Sequence, residues 1–167
     1  VFFSGCALHC VFCQNENIAN GTAGKVISTE RLGEIFLELQ EKGANNINLV
    51  TPGQFVPQII KAVELARNQN LKIPIVYNTS SYENVDTIRS LEGIVDIYLP
   101  DFKYWNAALS AKYSHAPDYP SVAKKAIEEM VRQTGAAVFE NGEDSLMKRG
   151  TIVRHLILPG CTKDSKA

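Results

Sequence analysis

Cys6, Cys10 and Cys13 fall within the eight residues Cys6-Ala7-Leu8-His9-Cys10-Val11-Phe12-Cys13. A C-x3-C-x2-C run sets three thiolates on one short loop. Soft sulfur donors suit iron, and three of them can hold three corners of a cubane iron–sulfur cluster. A cluster with three protein ligands keeps one iron open to a substrate or cofactor. The same residues also admit a zinc site completed by His9 or Cys161, or a Cys10–Cys13 redox pair. Zinc spacing ordinarily comes as two separated pairs, and the fourth cysteine, Cys161, stands alone. Cys161 therefore reads as a loop thiol, and His9 as a residue that shapes the loop. Phe12, just before the last cysteine, is placed either to face a bound planar ligand or to pack ordinarily.

The elements that must position this loop are legible from periodicity. Apolar runs at 1–4, 47–51, 73–78, 95–99, 137–139 and 151–158 are nearly continuous in Val, Ile and Leu, as strands buried on both faces should be. Between them lie helical patterns. Leu32, Ile35, Phe36 and Leu39 recur at i, i+3, i+4 and i+7, with Ser28 or Thr29 as N-cap and Gly43 as terminator. A second helix starts near Pro57, a third carries Val85, Ile88 and Leu91, and a fourth runs from Pro120 to Gly135. The order β-α-β-α-β-α-β-α-β-β predicts an α/β fold of right-handed parallel units. The polar stretch 140–148 reads as a turn joining the last two strands as a local hairpin. An open doubly wound sheet and part of a β/α barrel both fit, and both bind ligands at the carboxyl ends of their strands. The cysteine loop follows the first strand, which satisfies that rule.

Composition narrows the class. The chain has 167 residues, 45% hydrophobic and 21% charged, with 17 Lys plus Arg against 18 Asp plus Glu. A net charge of −1 lacks the basic excess expected of a nucleic-acid partner. No window approaches the roughly 18 apolar residues of a membrane span, so no membrane role is expected. Thiols held for a metal point to a cytoplasmic location rather than a disulfide framework. One domain is expected over 1–167, as a fragment of a longer chain, because the sequence opens inside the apolar run Val1-Phe2-Phe3. Gly21-Thr22-Ala23-Gly24-Lys25 lacks the spacing of a phosphate loop, and no G-x-S-x-G elbow is present.

With Phe12 before Cys13, the loop resembles the C-x3-C-x-aromatic-C signature of radical S-adenosylmethionine (SAM) enzymes. The wider string from Ser4 to Asn15 is similar to the group related to pyruvate formate-lyase activating enzymes. The resemblance spans most of the chain. Asn78-Thr79-Ser80 resembles the segment that contacts SAM, Asp101-Phe102-Lys103 their Asp-x-Lys, and Arg154 through Pro159-Gly160 their last-strand Arg with Pro-Gly. The resemblance implies a partial (β/α)6 barrel of parallel strands with outer helices, truncated at the ends. It also implies a [4Fe-4S] cluster on Cys6, Cys10 and Cys13, and reductive cleavage of SAM to a 5′-deoxyadenosyl radical that takes hydrogen from a protein or small-molecule substrate. An electron donor such as flavodoxin or ferredoxin is implied too. Arg154 is then expected to pair with the SAM carboxylate, and Asn78 and Ser80 to bind ribose hydroxyls or that carboxylate. Asp101 and Lys103 would face the barrel mouth as catalytic candidates. Each has a plainer alternative: Asn78 and Ser80 as turn caps, Asp101 and Lys103 as an ion pair at the rim. One position departs from the activating-enzyme pattern. Where those enzymes carry Gly-Gly-Glu to receive the SAM amino group, this chain has Thr51-Pro52-Gly53, so Thr51 and backbone carbonyls are the expected acceptors. A non-enzymatic iron–sulfur or zinc module on a β/α scaffold is the alternative function class.

Overall fold

The Val- and Ile-rich runs form a mostly parallel sheet in the computed structural model, which describes residues 1–140 and 145–167. Helix α1 (Glu16–Ala19) follows the cysteine loop, and α2 (Thr29–Glu41) leads into β1 (Ile47–Val50). Then come α3 (Val56–Asn68), β2 (Ile75–Thr79), α4 (Val85–Arg89) and β3 (Ile97–Pro100). The rest is α5 (Ala107–Ser114), α6 (Tyr119–Thr134), β4 (Val138–Phe139) and β5 (Met147–Thr151). Strand order is β1-β2-β3-β5-β4, parallel from β1 to β5, with β4 antiparallel to β5. Ahead of β1, the segment 1–3 lies parallel beside it through Phe3 N–H to Val50 O (3.0 Å) and Val50 N–H to Val1 O (2.9 Å). This is the α/β architecture expected, an open parallel sheet of the partial-barrel kind.

Local chemistry explains the boundaries. Ser28 caps α2 by accepting from Arg31 N–H, and Asn84 and Asn106 cap α4 and α5 in the same way. Pro57 sits in the first turn of α3, where its missing N–H costs nothing. The main core packs Phe36, Ile47, Leu49, Ile59, Val63, Tyr77 and Met130, all fully buried. A second, smaller core of Leu8, Tyr104, Ala116, Tyr119 and Ala123 lies under the cysteine loop, with Cys6, Cys10 and Phe12 packed against it.

Two expectations need correction. The last strand is regular over Met147–Thr151, not 151–158. It forms earlier because residues 147–149 pair with β4, which makes the expected hairpin. Its ladder with β3 continues only to Arg154, whose N–H donates to Pro100 O (2.8 Å), because β3 itself ends at Pro100. Residues 155–158 run on without a partner strand. The second correction is α5, an additional helix between β3 and α6 where the sequence reading placed none. His115 ends it in the left-handed conformation (φ 55°). The turn expected over 140–148 lies partly outside the described residues. Among the described residues no helix is long and apolar enough to cross a membrane.

Candidate active site

The cysteine loop emerges where segment 1–3 ends and is pinned from both sides. Gln54 Nε2 donates to Ser4 O and Gly5 O, each at 2.8 Å, and Gly5 N–H donates to Ile18 O at 2.7 Å. Gly5 holds a φ of 97°, a conformation that disfavours any side chain. Val11 N–H reaches Tyr113 O (2.9 Å), and buried Leu8 anchors the loop from below. Cys10 Sγ accepts a hydrogen bond from Ser114 Oγ (2.9 Å), and Ser114 in turn takes the Tyr104 hydroxyl (2.7 Å). Burial pushes the Tyr104 phenol up to about 12. The Cys6 thiol is raised as well, first by burial. Leu8 N–H opposes this, Cys10 and Cys13 reinforce it, and the charge of Lys103 opposes it. Cys6 and Cys10 both pack against the smaller core, and Cys13 N–H turns back onto Cys10 O (3.0 Å).

Among the described residues no group of three His, Cys, Asp or Glu side chains is already drawn together around a metal position. The donor set itself is three soft thiols on one loop, the ligand chemistry that the iron corners of a cubane take.

The remaining candidates occupy the carboxyl ends of β1, β2, β3 and β5. Asp101 lies between two cations: Lys103 Nζ donates to Oδ2 (2.6 Å) and Arg154 Nε to Oδ1 (2.8 Å). Arg154 Nη2 also reaches Asn78 Oδ1 (2.7 Å). The network thus holds two positive charges and one negative. Asp101 and Lys103 do form the rim ion pair, and Arg154 extends it to Asn78. Buried Tyr119 fastens this rim to Ser80. Its hydroxyl accepts from Lys103 N–H (2.9 Å) and faces Asp101 O (2.8 Å) and Ser80 O (2.9 Å). Thr51 takes a left-handed φ of 53°, costly for a β-branched residue, and its hydroxyl donates to Val50 O (2.8 Å). Its lone pairs remain available as acceptors. Phe12 packs on the smaller core.

Cys6, Thr51 and Ser80 line a cleft of about 480 Å3 with Gly53 and Glu83. Glu83 escaped the sequence reading, although it follows β2 by four residues and so obeys the strand-end rule. Its Oε1 accepts from Thr79 Oγ1 (2.7 Å) and Tyr77 Oη (3.3 Å), and burial raises its pKa against those two hydrogen bonds. The Ser114–Tyr104 pair was missed because nothing in the sequence brings α5 to Cys10.

Comparison with known proteins places the fold. The family described as the radical SAM superfamily matches residues 1–160. The uncharacterised protein MJ0674 of Methanocaldococcus jannaschii is 26% identical over 166 residues, which is 95% of this chain and 44% of that protein. The chain thus spans less than half of that relative. The solved structure of native anSMEcpe with bound AdoMet superposes with a TM-score of 0.57 at 14% identity, over 90% of this chain and 41% of that one. At that identity the likeness shows the fold alone. The family match extends from the cysteine loop through β5 to Gly160, and on it this chain belongs to the radical SAM superfamily.

Proposed function

We propose that the chain is the catalytic core of a radical SAM enzyme, with a [4Fe-4S] cluster on Cys6, Cys10 and Cys13. The supporting observation is that the three-cysteine loop, a cleft and an ion network with surplus positive charge meet at one end of the parallel sheet. A cluster held there would supply one electron to the SAM sulfonium, so that a C–S bond breaks to methionine and a 5′-deoxyadenosyl radical. The chain's own residues bind and orient. Arg154 and Lys103, sharing only Asp101, retain the capacity to take the SAM carboxylate in a charge-assisted contact. Asn78 and Ser80 supply polar groups for ribose hydroxyls. Asp101 holds both cations in place, and with Lys103 it is the candidate to meet a polar substrate group. Phe12 packs against the smaller core and so stiffens the cysteine loop that would hold the cluster.

The finer reading is kinship with pyruvate formate-lyase activating enzymes, acting on a protein or a small molecule, with flavodoxin or ferredoxin as reductant. The Ser4–Asn15 string and the Asp101-Phe102-Lys103 motif support it. Anaerobic reduction of the iron-loaded protein with SAM tests the reaction type. 5′-Deoxyadenosine should accumulate, and its absence from fully reduced, iron-replete protein would refute the assignment.

A further inference from the structure

Among the described residues Glu83 is the one acid lining the cleft beside Cys6, and no Lys, Arg or His lines it. Among the described residues it forms no salt bridge. Its Oε1 is satisfied by Thr79 and Tyr77, while no described group donates to Oε2. The carboxylate lies directly over Gly53: a Cβ built there would stand 2.6 Å from Oε2 and 2.9 Å from Oε1. Gly53 is thus the space the carboxylate occupies, and Thr79 and Tyr77 hold it there. A half-buried carboxylate without a counter-charge is costly unless a cation meets it. The cleft is open to solvent ligands, so that cation can arrive with a ligand.

We propose that Glu83 receives the α-ammonium of SAM, an inference that rests on the cofactor reading above. Charge complementarity supports it. The exits of β3 and β5 offer surplus positive charge for a carboxylate, and the exit of β2 offers an unneutralised carboxylate for an ammonium. Both adjoin one cleft: Glu83 and Ser80 line it with Cys6, and the Tyr119 hydroxyl ties Ser80 to Asp101 and Lys103. An amino-acid zwitterion matches that pair of charges. The third residue of the Thr51-Pro52-Gly53 segment then contributes by having no side chain, and the acceptor comes from the neighbouring strand exit.

The test is a binding cycle on anaerobically iron-loaded protein, read by equilibrium dialysis. It compares SAM with an analogue lacking only the amino group, in wild type and Glu83→Gln. Gln keeps the Oε1 acceptor for Thr79 and Tyr77, so the fold check is an unchanged melting temperature without ligand. SAM affinity should fall about tenfold or more in the variant, while affinity for the deaminated analogue changes less than about twofold. Gly53→Ala, which displaces the carboxylate, should reproduce the loss. Unchanged SAM affinity in Glu83→Gln, or an equal fall for both ligands, overturns the role of Glu83. Failure of the wild type to bind SAM overturns the cofactor reading itself and this inference with it.

Discussion

Removing the hydroxyl of Tyr119 isolates how the rim of the site is held. Tyr119 is fully buried, and its ring packs edge-on to Tyr104 at 5.5 Å. Tyr119→Phe keeps that ring, so no large cavity opens. The variant loses the acceptor of Lys103 N–H and the one donor that serves Asp101 O and Ser80 O. An amide left without its partner costs about 1–3 kcal/mol, and the shared donor adds about 1 kcal/mol. The sum, about 2–4 kcal/mol, should lower the melting temperature by about 4–16 °C in a chain of 167 residues. In urea the midpoint should fall by about 1 M at constant slope, because the surface exposed on unfolding is unchanged. SAM affinity should weaken in parallel, since the hydroxyl joins the exits of β2 and β3. A midpoint shift below about 0.3 M would show that the three-way junction contributes little, and the account of the rim would fail.

Other outcomes follow from neighbouring contacts. Ser114→Ala removes the hydrogen bond to Cys10 Sγ, which favours the more negative, reduced cluster. The reduction midpoint should therefore move down by tens of millivolts, about 60 mV for each tenfold loss, in a potentiometric titration; no movement would place Cys10 outside the ligand set. Arg132, with Gln133, holds the Glu129 carboxyl down to about 2, below its ordinary 4.5. A carboxyl lowered by folding stabilises the protein above pH 4.5 and loses that contribution as pH falls towards 2. Glu129→Gln should flatten the melting temperature over that range relative to wild type, and an identical acid profile in the two proteins would contradict the pairing.

What the sequence made legible was whatever depends on period and spacing. The β-α alternation follows from Val and Ile runs separated by stripes such as Leu32–Leu39, and the cysteine loop is a contiguous string. The resemblance to radical SAM enzymes then pointed to Asn78, Asp101 and Arg154, and the fold brings Arg154 within hydrogen-bond distance of the other two. α5 was illegible because its buried residues are Ser110 and Ser114, which make no apolar stripe. The shift in β5 arose because Arg149 and Gly150 carry no strand signal, and pairing with β4 outweighed propensity there. Glu83 could be placed at a strand exit, but its lean over Gly53 is a tertiary fact fixed by Thr79 and Tyr77. The same holds for Tyr119, whose ring reads as core and whose hydroxyl does its work across three separate segments.

The central claim is that three sulfurs of one loop hold a cluster with a coordination position left for SAM. Iron content and the electron paramagnetic resonance spectrum of anaerobically loaded protein address it most directly, before and after SAM is added. Wild type and Cys161→Ala should carry about four irons per chain and change spectrum with SAM, while Cys6→Ala, Cys10→Ala and Cys13→Ala should carry no intact cluster. A full cluster retained in Cys10→Ala, or stoichiometric zinc with no response to SAM in the wild type, would contradict it.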